Sequence, residues 1–181
     1  MVSFELSILD WIQTSLRSGF GDVFFPIITT FADEGIGWVL LCGILILIPK
    51  TKKLGGVMFL AIIIEVLACN IILKPLVARP RPFMLNSAVQ LLIPAPEDYS
   101  FPSGHTAVSF AAASVLLFQK SKGWLPALMM AGLIAFSRLY LYVHFPTDVI
   151  AGAVIGIAAG ALACRLWAFC EKRLSKKVQR R

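Results

Sequence analysis

The sequence predicts an all-helical bundle embedded in a membrane, and three observations point there. Of its 181 residues 58% are hydrophobic and 15% charged, a balance too apolar for a soluble single domain. The apolar residues fall into long runs separated by short basic clusters: Lys50, Lys52 and Lys53; Lys120 and Lys122; and the tail Lys172 to Arg181. The net charge of +7 sits mostly in those clusters, so it reads as positive-inside sorting of membrane spans rather than as a nucleic-acid surface. The expected architecture is one membrane-embedded domain over residues 1–181, with five clear spans and room for a sixth in the first 30 residues.

The elements follow in order. Residues 1–17 place Phe4, Ile8, Trp11, Ile12 and Leu16 on one helical face with Glu5, Asp10 and Gln13 elsewhere, the pattern of an interfacial amphipathic helix. Gly19 and Gly21 interrupt it. Val23 to Phe31 is then apolar but too short to span straight, since a span needs about 20 residues; whether residues 20–32 cross is left open. Gly35 to Ile48 precedes Pro49 and the first basic cluster, and Leu54 to Leu73 is a full span ending at Lys74. Residues 75–102 form a proline-rich loop with an apolar patch at Leu91 to Ile93. A helix capped by Ser103 runs to Phe118, Trp124 to Val143 returns, and Thr147 to Cys170 crosses again before the basic cytoplasmic tail 171–181. Gly152, Gly156 and Gly160 recur every fourth residue in that last span, a flat stripe for close helix packing. Cys42, Cys69, Cys164 and Cys170 lie within or beside apolar runs, where they act as small hydrophobes, so neither a disulfide nor a metal site is expected. The N-terminus lacks the basic start and small-residue cleavage site of a signal peptide, and no removal is expected.

With the basic clusters on the cytoplasmic side, alternation of the spans brings the ends carrying Lys74, Ser103 and His144 together on the other side. There, Ser137 to Asp148 sets Arg138, His144 and Asp148 between two apolar runs. Ionisable groups at membrane depth cost at least a few kcal/mol each and need a partner or a task. Pro146 suits the first turn of a new helix. His144 therefore falls on the turn between two spans and Asp148 in the first turn of the second. A carboxylate there is favoured by the helix dipole and can accept the proton of one imidazole nitrogen, leaving the other as a lone-pair donor.

Three groups meet at this face: Lys74 with Arg79 and Arg81; Pro102-Ser103-Gly104-His105; and Arg138, His144 and Asp148. Cations with forked donors and the amides of a helix start suit a tetrahedral phosphate, and Gly104 admits a close approach. His105 and His144, the chain's two histidines, divide the work: one attacks phosphorus and the other protonates the leaving oxygen. Asn70, one turn before Lys74, shares its face and is expected to support it. Glu65, nine positions from Lys74, is about half a turn away on an α-helix and is expected to point elsewhere.

These residues resemble the type 2 phosphatidic acid phosphatase superfamily, which also holds the vanadium haloperoxidases. Its pattern is Lys, six residues, Arg-Pro; then Pro-Ser-Gly-His; then Ser-Arg, five residues, His, three residues, Asp. Lys74 with Arg81-Pro82, Pro102 to His105, and Ser137-Arg138 with His144 and Asp148 match in spacing and order. The resemblance implies that His144 is a nucleophile forming a phosphohistidine, that Asp148 orients it, and that His105 acts as acid and then as base for water. It further implies that Lys74, Arg81, Ser103, Gly104 and Arg138 bind the phosphoryl oxygens without metal or other cofactor. Arg79-Pro80 duplicates Arg81-Pro82; spacing favours Arg81, leaving Arg79 as a supporting or headgroup contact.

The expected activity is hydrolysis of a lipid phosphate at the outer face of a bacterial plasma membrane. Undecaprenyl diphosphate leads, by analogy with compact bacterial members, and phosphatidylglycerophosphate or phosphatidic acid is the alternative. A lipid phosphotransferase and a non-catalytic lipid-binding protein remain as rivals, while a haloperoxidase fits a membrane chain least. Partners are the bilayer and the lipid; no nucleic acid is expected.

Overall fold

A computed structural model describes residues 2–86 and 88–178; the last residues of the basic tail, Gln179, Arg180 and Arg181, lie outside that range. Helix α1, Val2–Trp11, continues as a π-helical turn over Ile12–Leu16. Helix α2, Gly19–Thr30, starts where the Ser18 hydroxyl accepts the Gly21 amide at 3.1 Å, an N-cap that satisfies one of the orphan donors of a helix start. A 3-10 turn at Asp33–Gly35 joins it to α3, Ile36–Leu47. Helix α4, Lys52–Val66, passes through a π-helical stretch, Leu67–Leu73, into the short α5, Lys74–Val77, and α6 follows at Pro82–Leu85. Helices α7, Gly104–Phe118, α8, Trp124–Tyr140, and α9, Pro146–Val178, complete the order.

Length and composition suit two helices to cross a membrane, Lys52–Leu85 and Pro146–Arg173, and a third if α2 and α3, bent by 43° at their junction, form one broken span. Helices α7 and α8 are apolar but run only 15 and 17 residues, short of the ~20 of a straight span. The five spans expected from the sequence are thus met by length in two. Part of the reason lies at the site: Leu141 to Phe145, which extend the apolar run of α8 in the sequence, leave the helix and become the turn that carries His144.

Helix α7 is the centre of the bundle, packed against α4, α8 and α9. Ala107, Ala111, Ala112 and Ala113 are buried along it, and small residues let neighbouring backbones approach. The glycine stripe of α9 seats directly on this surface. A Cβ on Gly152 would meet the Ser103 carbonyl oxygen at 2.6 Å, and one on Gly156 would overlap the backbone of Ala107 and Ala111. That close contact fixes Asp148, at the start of α9, against the start of α7.

Helix α1 is oriented otherwise than its apolar face suggested. Glu5 is buried and bonds Thr147 and Arg79, Asp10 accepts from the Tyr142 hydroxyl at 2.6 Å, and Gln13 donates to the Tyr140 carbonyl at 2.7 Å. Phe4 and Trp11 are exposed. The polar side chains face the protein because they have hydrogen-bond partners there, and the exposed aromatic residues suit a membrane interface. Burial alone would raise the Glu5 pKa, but hydrogen bonds from Thr147 and Arg79 outweigh it and hold the carboxyl below its ordinary value.

Candidate active site

The three motifs converge on one cavity of about 1060 Å³ lined by Lys74, Arg81, Gly104, His105, Arg138 and His144, among others. Lys74 opens α5, Arg81 precedes α6 in extended backbone, Gly104 and His105 begin α7, and Arg138 lies in the last turn of α8. His144 sits in the turn that leads into α9. Three separate stretches of chain thus supply one wall each.

His144 is 1% exposed, and its two ring nitrogens have different partners. Nδ1 lies 2.7 Å from the Ser100 carbonyl oxygen, so it carries the proton and donates it there. Nε2 then bears the lone pair, and it lies 3.2 Å from Nη1 of Arg81. The sequence placed Asp148 as the direct acceptor, yet its Oδ2 is 3.6 Å from Nδ1, beyond hydrogen-bond distance. That oxygen is already taken by the Ser100 hydroxyl and by the Phe145 amide at 2.9 Å. Asp148 therefore reaches His144 through the residues on either side of the ring: it bonds Ser100, whose carbonyl accepts from Nδ1, and Phe145, the next residue in the chain.

Each cation is placed differently. Arg81 is buried, donates from Nε to the Asp98 carbonyl and from Nη1 to the Val143 carbonyl, each at 2.8 Å, and pairs through Nη2 with the Asp98 carboxylate. Lys74 pairs with the same carboxylate. Arg138 is buried and donates to the Thr29 hydroxyl, while its Nε finds no partner among the described residues; a buried guanidinium N–H on a cavity wall calls for an acceptor. Arg79 does not line the cavity. It bonds Asp148, Thr147 and Glu5 and stacks 3.9 Å over the Phe145 ring, which makes it a support for Asp148.

The start of α7 also differs in detail. Ser103 is its N-cap residue but makes no side-chain cap; its hydroxyl meets that of Thr106 at 2.9 Å, and its amide donates to the Asp148 carbonyl. The amides of Gly104 and His105, which lack intrahelical partners by helix geometry, are the helix-start donors that remain for an anion. A Cβ on Gly104 would lie 3.0 Å from Asn70 Oδ1 and 3.6 Å from Lys74 Nζ. Asn70 thus does stand beside Lys74, and glycine at 104 keeps that space open.

Motif spacing alone placed none of the five acidic residues that line the cavity, Asp33, Glu34, Glu65, Glu97 and Asp98. Asp98 pairs with both Lys74 and Arg81. Burial opposes its charge, but those two cations outweigh that and hold its pKa at about 2. Asp33, at the break between α2 and α3, contacts His105. Glu65 lines the cavity instead of pointing away from it. A π turn takes one more residue than an α turn, so the stretch Leu67–Leu73 rotates Glu65 back toward the face of Lys74. Pattern reading assumes α periodicity and has no signal for that change of phase.

A buried histidine whose Nε2 lone pair meets Arg81, a second histidine on the same cavity and three cations make a donor set suited to a phosphate at the ends of apolar helices. Residues 52–172 match the family model of the PAP2 superfamily, and the chain belongs to that superfamily. It is 35% identical over 120 residues to an undecaprenyl-diphosphatase of Sulfolobus acidocaldarius, an alignment covering 66% of this chain and 58% of that protein. The chain thus spans little more than half the length of that relative. The crystal structure of Aquifex aeolicus LpxE superposes with a TM-score of 0.74 at 35% identity, covering 88% of this chain and 94% of that one. A PAP2-type phosphatidylglycerolphosphate phosphatase from Bacillus subtilis also gives a TM-score of 0.74, at 25% identity over 94% of this chain and 86% of that one.

Proposed function

We propose that the chain is a lipid phosphate phosphatase working through a phosphohistidine on His144, with undecaprenyl diphosphate as its leading substrate. The single observation that carries the chemistry is the state of His144. Its Nδ1–H is committed to the Ser100 carbonyl, and Nε2 is left with a lone pair beside Arg81. The relative named undecaprenyl-diphosphatase supports that substrate, while the two structural neighbours are the reason to assay other lipid phosphates beside it.

The steps follow from the donors present. The terminal phosphoryl group enters among Lys74, Arg81 and Arg138 and displaces the Asp98 carboxylate, with the Gly104 and His105 amides completing its donors and Ser103 holding the backbone at that point. These groups offset the charge that builds on the equatorial oxygens. His144 Nε2 forms a bond to phosphorus as the bond to the leaving oxygen breaks, and His105 gives that oxygen its proton. Neutral His105 then takes a proton from water, whose oxygen attacks phosphorus. The P–N bond breaks, returning the lone pair to Nε2 and releasing inorganic phosphate.

The site lies at the end of the helices opposite the basic clusters at Lys50–Lys53 and Lys120–Lys122, so the headgroup is handled outside the cytoplasm. The lipid tail stays in the bilayer. Phosphate release from purified protein, in the presence of chelator, is the test, using undecaprenyl diphosphate, phosphatidylglycerophosphate, phosphatidic acid and a lipid A phosphate. Release from undecaprenyl diphosphate at the highest kcat/KM supports the reading. Transfer to an added alcohol in place of release makes the protein a phosphotransferase, and no turnover of any of them points to a lipid-binding protein.

A further inference from the structure

The break between α2 and α3 lies outside the residues that match the family model, and it carries an acid against one of the two histidines. Asp33 Oδ1 is 2.6 Å from Nε2 of His105. The break is not relaxed backbone: Glu34 has φ 51° and Gly35 has φ 70°, and left-handed geometry at a non-glycine residue costs of order 1–3 kcal/mol. Such strain persists only where the surroundings hold it. Here backbone hydrogen bonds hold it, from the Gly35 amide to the Ala32 carbonyl and from the Gly37 amide to the Phe31 carbonyl, each at 3.0 Å, and Gly35 packs close to Val108, one turn along α7 from His105. The same end of α2 supplies Thr29 to Arg138. Segment 29–35 therefore touches two of the groups that the motifs bring to the cavity.

The bland reading is a half-exposed surface ion pair, since the Asp33 side chain is 51% exposed and His105 is 22% exposed; such pairs are worth at most about 1 kcal/mol. What that reading leaves unexplained is the partner. The contact is to the reactive ring of the site, on a turn with strained backbone that aims the carboxylate there. The charged groups facing His105 are Asp33 from the break, Arg138 from α8 and Lys74 from α5. Arg81, His144, Glu34, Glu65, Glu97 and Asp98 line the same cavity. Burial first, and then the cations, disfavour an imidazolium, and Asp33, the carboxylate in contact with the ring, opposes them.

We propose that Asp33 is a positioning residue for His105, and that the two form a carboxylate–imidazole pair in the cavity that His144 also lines. This rests on the phosphohistidine reading above. Nε2–H of His105 donates to Asp33 and stays bound, so the proton that moves is the one on Nδ1. Doubly protonated His105 gives it to the leaving oxygen, and the resulting Nδ1 lone pair takes the proton of the attacking water. Asp33 remains a carboxylate throughout, holding the ring and favouring its charged form.

The test compares wild type, Asp33→Asn, Asp33→Glu and His105→Ala by the rate of phosphoenzyme formation from a lipid phosphate and from an aryl phosphate. The aryl leaving oxygen hardly needs a proton. Asp33→Asn is expected to slow the lipid substrate by about 10-fold or more, a part of the roughly 10²–10⁴-fold worth of a positioned acid, and to slow the aryl substrate much less. The alkaline limb of the lipid pH profile moves to lower pH in Asp33→Asn and returns toward wild type in Asp33→Glu. In the His105→Ala background, Asp33→Asn adds nothing. Equal slowing of both substrates, an unmoved pH profile in both Asp33 variants, or additivity with His105→Ala overturns the proposal. Absence of any phosphoenzyme in wild type instead overturns the phosphohistidine reading on which it stands.

Discussion

Asp98 is the residue whose position says most about how the cations of the cavity are held. Its carboxylate bridges Lys74 and Arg81, the cations that would grip phosphoryl oxygens, so any phosphate must compete with it. Asp98→Asn keeps the shape and removes the charge. Inhibition by inorganic phosphate is expected to tighten by about 3–10-fold, on the scale of one charge-assisted bond in a partly solvated site. Unchanged or weaker inhibition would mean that the carboxylate does not compete. The pH dependence has a definite sign. The pKa falls from 3.8 to about 2 on folding, so the tether is fully present above pH 4 and is lost as pH falls toward 2. Proteolysis of the loop before Ser100 should accelerate only within that window. The histidines and cations that line the cavity were legible in the sequence, because ionisable side chains between apolar runs demand a reason and their spacing carries a motif. Asp98 and Asp33 were not: an acid in a loop or a helix break is ordinary until folding shows what it faces.

At the scale of elements, helix positions were legible and helix phase was not. The run from Leu54 to Leu73 read as one α-helix, yet Leu67–Leu73 is π-helical, and that turned Glu65 into the cavity with both carboxyl oxygens unpartnered among the described residues. The polar face of α1 was equally misleading, since Glu5 faces Arg79 and Thr147 rather than water. The glycine stripe of α9 read correctly as a seam, and it yields a direct prediction. On Gly156 a Cβ would lie 2.9 Å from the Ala111 amide nitrogen. Gly156→Val should cost about 1–3 kcal/mol of stability through overpacking, lower the unfolding temperature in detergent, and reduce turnover by shifting Asp148. A variant as stable and active as wild type would show that α9 does not seat on α7 in this way.

For the whole molecule, the basic clusters and the site lie at opposite ends of the bundle, and under positive-inside sorting the proposed substrate is presented from the outer leaflet. Ala95→Cys, in a background lacking the four native cysteines, is expected to react with an impermeant thiol reagent on intact cells. Reaction only after the cells are opened would reverse the topology and move the substrate to the inner leaflet. The number of crossings was not legible, because α7 and α8 are short and the α2–α3 pair is bent. The packing of the bundle gathers the motif ends at one cavity whichever of these pieces spans fully.

The central claim is covalent: a phosphoryl group passes through Nε2 of His144 with no metal taking part. The most direct measurement is a rapid, acid-free quench of purified protein with labelled aryl phosphate in the presence of EDTA, comparing wild type with His144→Ala and His105→Ala. Label should be trapped on wild type in the presence of chelator, linger on His105→Ala because water lacks its base, and be absent from His144→Ala. Trapped label on His144→Ala, or labelling of wild type that EDTA abolishes and magnesium restores, would contradict the account.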